Sequence, residues 1–179
     1  MEIRSFDDIE AHRLVHFYTQ VFAQSEGADA GAILGDLVRD ILATTVSSDL
    51  FGFVVVDDSG EVLASILLTR VQFLDSLQAF LLSPVAVKTD WQKQGIGQQI
   101  IRYGLQQLQL LGVNLVFTYG DPNYYSKVGF RQISAQKIKP PYPLTQPEGW
   151  LGQALDHRDL ASLEGKIRCV DAFADPEYW

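Results

Sequence analysis

The sequence predicts a mixed α/β domain built on one sheet, and three observations carry that prediction. Ile33, Leu34, Leu37, Val38, Ile41 and Leu42 recur as adjacent pairs four residues apart, the spacing of one helix face. Three β-rich segments (residues 50–56, 62–73 and 79–87) follow one another across short turns, so consecutive antiparallel strands are the economical arrangement. A helical stretch (96–111) then separates the third of these from a further apolar segment (115–119). A strand–helix–strand crossover makes those two strands parallel.

The remaining elements follow in order. Residues 3–6 form a short first strand. Asp7 reads as a helix N-cap with Glu10 completing a capping box, and Ile9, Leu14, Phe17, Tyr18, Val21 and Phe22 form a stripe as far as Ser25. Residues 25–29 are a break before the second helix, whose Asp36, Arg39 and Asp40 face water. Asp57-Asp58-Ser59-Gly60 and Asp75-Ser76 are turn sequences. Pro84 lies inside the third β-rich segment and has no N–H for a ladder, so that strand must bulge or lose a neighbour there. The long helix turns Ile100, Ile101, Leu105, Leu108 and Leu111 inward and ends at Gly112. Residues 124–128 make about one helical turn, and Gly129-Phe130 opens a strand. Pro140, Pro141, Pro143 and Pro147 make 137–150 an extended surface loop, residues 167–170 a last strand, and Trp179 an anchor against its own domain or a partner subunit. The whole, 1–179, reads as one domain, with 137–179 its proline-rich loop and C-terminal extension.

Composition narrows the function classes. Of 179 residues, 47% are hydrophobic and 20% charged, which excludes a disordered tail, a fibre or a disulfide scaffold. The single cysteine, Cys169, forms no intrachain disulfide and no multi-cysteine zinc site. It reads as a buried small hydrophobe in a reducing compartment. The net charge of −8 repels phosphate backbones, so nucleic acid is not an expected partner, while an amine-bearing substrate is favoured. The N-terminal stretch lacks the apolar run of a signal peptide, and no apolar run is long enough to span a membrane, so the expected location is cytoplasmic. His12 and His16 lie one helical turn apart without a third ligand and read as surface histidines; no metal is expected. His157, among Asp156, Arg158 and Asp159, reads as part of a solvated turn.

The segment that carries chemistry is Gln92-Lys93-Gln94-Gly95-Ile96-Gly97-Gln98, between a strand and a helix. Glycines let backbone approach a ligand closely, and the first amides of a helix attract an anion. A phosphate-bearing ligand is the physical expectation; the plainer alternative is that the glycines only shape a tight loop. The P-loop pattern is absent. The dinucleotide fingerprint needs a third glycine where Ile100 stands, and no acidic residue closes the following strand, Leu115–Tyr119.

Gln92-x-x-Gly95-x-Gly97 resembles the signature of the GCN5-related N-acetyltransferases (GNAT), as do the preceding Pro84-Val85-Ala86-Val87 and the downstream Tyr125-Ser126-Lys127-Val128-Gly129-Phe130. Gly120-Asp121-Pro122-Asn123-Tyr124-Tyr125 and Asp175-Pro176-Glu177-Tyr178-Trp179 are similar to the YhbS-like branch, and the resemblance covers nearly the whole chain. It implies the GNAT-type fold, in which antiparallel N-terminal strands precede a splayed parallel pair, and the splay holds the pantetheine arm of acetyl-CoA. Backbone groups of Val85, Ala86 and Val87 then pair with pantetheine as an added strand does, and the amides of Lys93, Gln94, Gly95, Ile96, Gly97 and Gln98 cradle the pyrophosphate. The implied reaction is direct attack of a primary amine on the thioester, with a backbone N–H near Val85 to Val87 polarising the carbonyl.

Tyr125 stands where the family places its general acid, with Tyr124 as the alternative. Ordinary pKa values of about 10 for tyrosine and about 8.5 for a thiol make full proton transfer uphill, so a hydrogen bond that strengthens as the thiolate forms is the better description. No carboxylate occurs in 79–87, so no general base is assigned. Asp121, the nearest acid to Tyr125 in sequence, is read as a turn former with Pro122. A small-molecule or peptide amine is the expected acceptor, and a homodimer is inferred from the family and from Trp179. A second class of reading is a non-catalytic acyl-CoA-binding sensor, consistent with the missing carboxylate. A third is an interaction protein using the acidic surface and aromatic tail.

Overall fold

All residues, 1–179, are described by a computed structural model. The strands are β1 (Glu2–Ser5), β2 (Leu50–Val56), β3 (Val62–Val71), β4 (Ala79–Val87), β5 (Leu115–Tyr119), β6 (Arg131–Gln132), β7 (Ile138–Lys139), β8 (Trp150–Ala154) and β9 (Gly165–Lys166). The α-helices are α1 (Ala11–Glu26), α2 (Ala28–Thr44), α3 (Ile96–Leu110) and the single turn α4 (Pro122–Tyr125). Seven strands form one mixed sheet in the order β1-β2-β3-β4-β5-β8-β6, and β7 pairs with β9 separately. No helix is long and apolar enough to cross a membrane. The chain divides into two compact units, Met1–Leu68 with Pro84–Gly104 and Thr69–Ser83 with Leu105–Trp179.

In the first unit β1 pairs antiparallel with β2, from Glu2↔Val56 to Ser5↔Phe53. The turn after β2 closes on Asp57, whose Oδ1 accepts from the Ser59 and Glu61 amides, both at 2.9 Å, while Gly60 takes φ +81. Helices α1 and α2 are separated by Gly27 alone, at φ +104. They meet through small residues. A Cβ on Gly31 would lie 2.6 Å from Ala23 Cβ, which is closer than real contacts allow. The periodic stripes are only partly interior: Leu14, Phe17, Tyr18 and Val21 of α1 and Leu37, Val38 and Ile41 of α2 are buried, whereas Ile33, Leu34 and Leu42 are half-buried. The buried Tyr18 hydroxyl donates within reach of Ser65 Oγ (3.0 Å) and the Pro84 carbonyl (3.3 Å), which fastens α1 to β3 and to the second half of β4.

In the second unit β4 and β5 are parallel over Ala79↔Leu115, Phe80↔Val116 and Leu81↔Phe117, as the crossover requires. The pairing stops there, ahead of Pro84; beyond it the Thr118 hydroxyl donates to the Leu82 carbonyl at 2.9 Å. β8 lies antiparallel to β5 over five pairs, from Leu115↔Ala154 to Tyr119↔Trp150, and β6 adds two pairs to its far edge.

Several sequence expectations are corrected. There is no capping box: Ser5 caps a 3-10 turn over Phe6–Asp8, and α1 starts at Ala11 behind Glu10, whose side chain caps nothing. Leu111 is 56% exposed, because α3 ends at Leu110 and the chain turns away at Gly112, φ +79. The segment 137–150 is not simply a surface loop. Ile138–Lys139 pairs with Gly165–Lys166, and Trp150, fully buried, begins β8. The last strand is thus Gly165–Lys166 rather than 167–170, where only Arg168 bridges, to Gln72. Trp179 packs within its own chain, against Tyr119, Trp150 and Phe173, and its Nε1 donates to the Phe173 carbonyl at 3.2 Å. It therefore gives no ground for a dimer.

Candidate active site

The loop between β4 and α3 is anchored at its start by Leu63 and Gln24, and from Gln92 onward by its own backbone and side chains. Along the end of β4, Pro84 and Ala86 are buried, while Ser83, Val85 and Val87 are half-open on the alternate face. The Lys88 amide then donates to the Leu63 carbonyl at 2.8 Å, and Thr89–Trp91 makes a 3-10 turn. Gln92 Nε2 donates to the Val87 carbonyl at 3.0 Å, and Gln94 Nε2 to the Asp90 carbonyl at 3.0 Å. Both glutamines thus tie the loop to its own start. Gln92 has a structural task here, and one lone pair of the Val87 carbonyl is already taken.

Two residues of the loop lie in the left-handed region, Lys93 at φ +61 and Gly95 at φ +85. For lysine that conformation is uncommon and is held by its surroundings. Alternation of hand turns successive N–H groups toward a common concavity, as in anion-binding nests. The first helical bond of α3 runs from the Gln99 amide to the Gly95 carbonyl at 3.0 Å. The amides of Ile96, Gly97 and Gln98 therefore precede the helical ladder and have no acceptor within it. Their direction and the helix dipole suit a phosphate group.

The tyrosine region is assembled differently. Asp121 caps α4, accepting from the Asn123 amide at 2.8 Å, with Pro122 in the first turn; this is the turn-forming task expected of it. α4 passes into a 3-10 turn that ends at Gly129, φ +98. Tyr125 lies edge-on to Tyr124 (5.1 Å between centroids) and to Phe130 (5.7 Å). A Cβ on Gly120 would come within 2.7 Å of the Tyr125 ring, so only glycine leaves room for the ring there. The Thr118 side chain stands beside the Tyr125 hydroxyl.

Burial pushes the Tyr125 hydroxyl up to about 12, and burial raises Tyr124 as well. The Thr118 hydroxyl beside it acts in the opposite direction. The Thr118 proton goes to the Leu82 carbonyl at 2.9 Å. With burial dominant, Tyr125 is a neutral phenol. Thr118 and Gly120 both adjoin Tyr125; the sequence carries no signal for Thr118, and Gly120 enters it only as the first residue of the stretch 120–125. His12 faces Glu10 at 3.7 Å on the surface, and Cys169 is pushed up to about 12 by burial, so it is no nucleophile at neutral pH.

A strand that releases its parallel neighbour and runs into an amide-lined helix start defines the architecture of acyl-CoA N-acyltransferases. The family model of the acetyltransferase (GNAT) domain matches residues 49–132, which include both the loop and Tyr125. An uncharacterized N-acetyltransferase of Escherichia coli K12, YjhQ, is 32% identical over 171 residues, covering 92% of this chain and 90% of that protein. The chain belongs to the GNAT N-acetyltransferase family. The crystal structure of E. coli YhbS, a GNAT family N-acetyltransferase in complex with CoA, superposes with a TM-score of 0.83 at 24% identity, over 97% of this chain and 92% of that one. A Brucella melitensis GNAT acetyltransferase in complex with acetyl-CoA gives 0.72 at 23% identity, over 96% and 97%. These two establish the shared fold.

Proposed function

We propose that the protein transfers the acetyl group of acetyl-CoA to a primary amine of a small molecule or peptide. The observation that carries this is the loop 92–98, with its left-handed Lys93 and Gly95 and its free helix-start amides, in a chain of the GNAT family. Amides of Lys93, Gln94, Gly95, Ile96, Gly97 and Gln98 hold the pyrophosphate. Backbone groups of Val85, Ala86 and Val87 pair with the pantetheine arm. The neutral acceptor amine attacks the thioester carbonyl carbon, an N–H of the 85–87 segment steadies the oxyanion, the C–S bond breaks with CoA leaving as thiolate, and the nitrogen releases its extra proton to solvent water. The Tyr125 hydroxyl donates to the sulfur as thiolate charge develops. With the phenol near 12, a strengthened hydrogen bond is favoured over complete transfer.

No carboxylate stands on β4, so an acceptor with an α-amine, of pKa about 7.7–8.0, suits the chain better than a lysine-type amine near 10.4. The same absence supports the second reading, an acyl-CoA sensor without turnover. The reaction is assigned to the cytoplasm, consistent with a single cysteine and no intrachain disulfide. A homodimer would need a surface other than that of Trp179.

Calorimetric titration with acetyl-CoA, against NAD and ATP, tests the ligand. Selective acetyl-CoA binding is expected, and its absence in folded protein would overturn both readings. Release of free thiol with an amine panel then separates enzyme from sensor.

A further inference from the structure

Beside β6 and β8 lies a cavity of about 640 Å³ that the acyltransfer reading does not use; none of 85–98 or Tyr125 lines it. Its floor follows from the register. Arg131 pairs with Gly152, so the two share a face, and a Cβ on Gly152 would lie 3.4 Å from the Ile133 and Phe117 side chains. Ile138 and Leu160 supply apolar wall.

The lining reverses the charge of the chain. Overall 22 acidic residues outnumber 14 basic ones, yet here Arg131, Lys137 and Arg158 face a single carboxylate, Asp159. Arg158 is answered by Asp156, with Nε 2.9 Å from each carboxylate oxygen. Asp159 is turned to the Ala161 amide at 2.9 Å. Lys137 spends one of its three N–H donors on the Ala161 carbonyl, also 2.9 Å. The exposed Arg131 guanidinium meets no carboxylate in the structure. Gln153 also lines the cavity. His157, at the rim, is held at φ +64, a conformation costly for a residue with a side chain.

We propose that this cavity binds a small molecule bearing a terminal oxyanion, a carboxylate or a phosphate. The oxyanion sits on the Arg131 fork, supported by the remaining Lys137 donors. The volume suits a metabolite rather than a single ion. The inference stands apart from the acyltransfer reading, and its test uses no acetyl-CoA.

The test is calorimetric titration of the full chain at low ionic strength with L-malate, glycerol 3-phosphate and glycerol. At least one of the two anions is expected to bind at millimolar concentration or tighter, and glycerol is not; which anion binds identifies the oxyanion. Arg131→Met is expected to weaken binding at least about tenfold and Arg131→Lys by less, because lysine keeps the charge and loses the fork. Ligand-free thermal midpoints within about 2 °C of the parent show that each variant is folded. Failure of both anions to bind, or equal binding by folded Arg131→Met, overturns the proposal.

Discussion

The loop that opens α3 and the pocket that holds Tyr125 are built by opposite means. Lys88 and Thr89 anchor the start of the loop to Leu63 and Gln24, but from Gln92 to Gln99 it closes on itself: Gln92 bonds five residues back, Gln94 four, and the first helical bond is local. Tyr125 depends on partners from other places in the fold. Thr118 and Gly120 come from the end of β5, Phe130 follows the turn, and Thr118 is oriented by Leu82 on β4. A ligand site made of backbone tolerates changes in side chain but not in backbone freedom. A site made of one side chain is sensitive to every residue that fixes that side chain.

Substitutions can break this contrast in order of expected size. Gly97→Glu places bulk and negative charge among the helix-start amides. Acetyl-CoA binding should fall below detection by calorimetry while the protein stays folded. Retained binding would show that the loop is not the phosphate cradle. Tyr125→Phe should lower kcat by about 10²-fold or more with acetyl-CoA affinity nearly intact. An undiminished kcat removes Tyr125 from the mechanism.

Gly120→Ala tests the non-local half. Its methyl displaces the Tyr125 ring, so kcat should drop about tenfold, with a stability cost of about 1–3 kcal/mol in denaturant titration. Thr118→Val leaves the Leu82 carbonyl without its donor, at about 1–3 kcal/mol, and frees the Tyr125 hydroxyl. Here kcat should fall several-fold and Thr118→Ser should restore it, which a merely structural role for the side chain would not require.

The smallest effect is one of pH. A general acid works only while protonated, and Tyr125 at about 12 stays protonated across the whole working range. The kcat/KM profile should therefore show no alkaline fall from this group up to about pH 10, the ordinary tyrosine value. A fall centred below that would mean that the phenol is not buried in the working enzyme.

The legibility of the two regions differs for the same reason. Gln92, Gly95 and Gly97 stand within six residues of one another, and a motif that close in sequence is a local instruction to the backbone. Asp121 was readable as a turn former because its hydrogen bond reaches only two residues ahead. Thr118 gave no such signal: a threonine in Leu-Val-Phe-Thr-Tyr is an ordinary strand residue until Leu82 and Tyr125 are brought to it. β8 was hidden by its own composition, since Trp150-Leu151-Gly152-Gln153-Ala154 has a glycine at its centre and follows a proline-rich stretch. Its status as a strand comes from five pairs with β5.

The sequence by itself determined the helices, the hairpin turns, the parallel pairing across α3 and the tight glycine-bearing loop before it. Each depends on periodicity, on turn chemistry or on the reach of a short connection. Tertiary structure alone decided that Tyr125 is a desolvated donor, that Leu111 is in water and that Trp179 closes over Trp150. Those outcomes depend on which surfaces meet, and burial is a property of the neighbours a residue acquires on folding rather than of the residue.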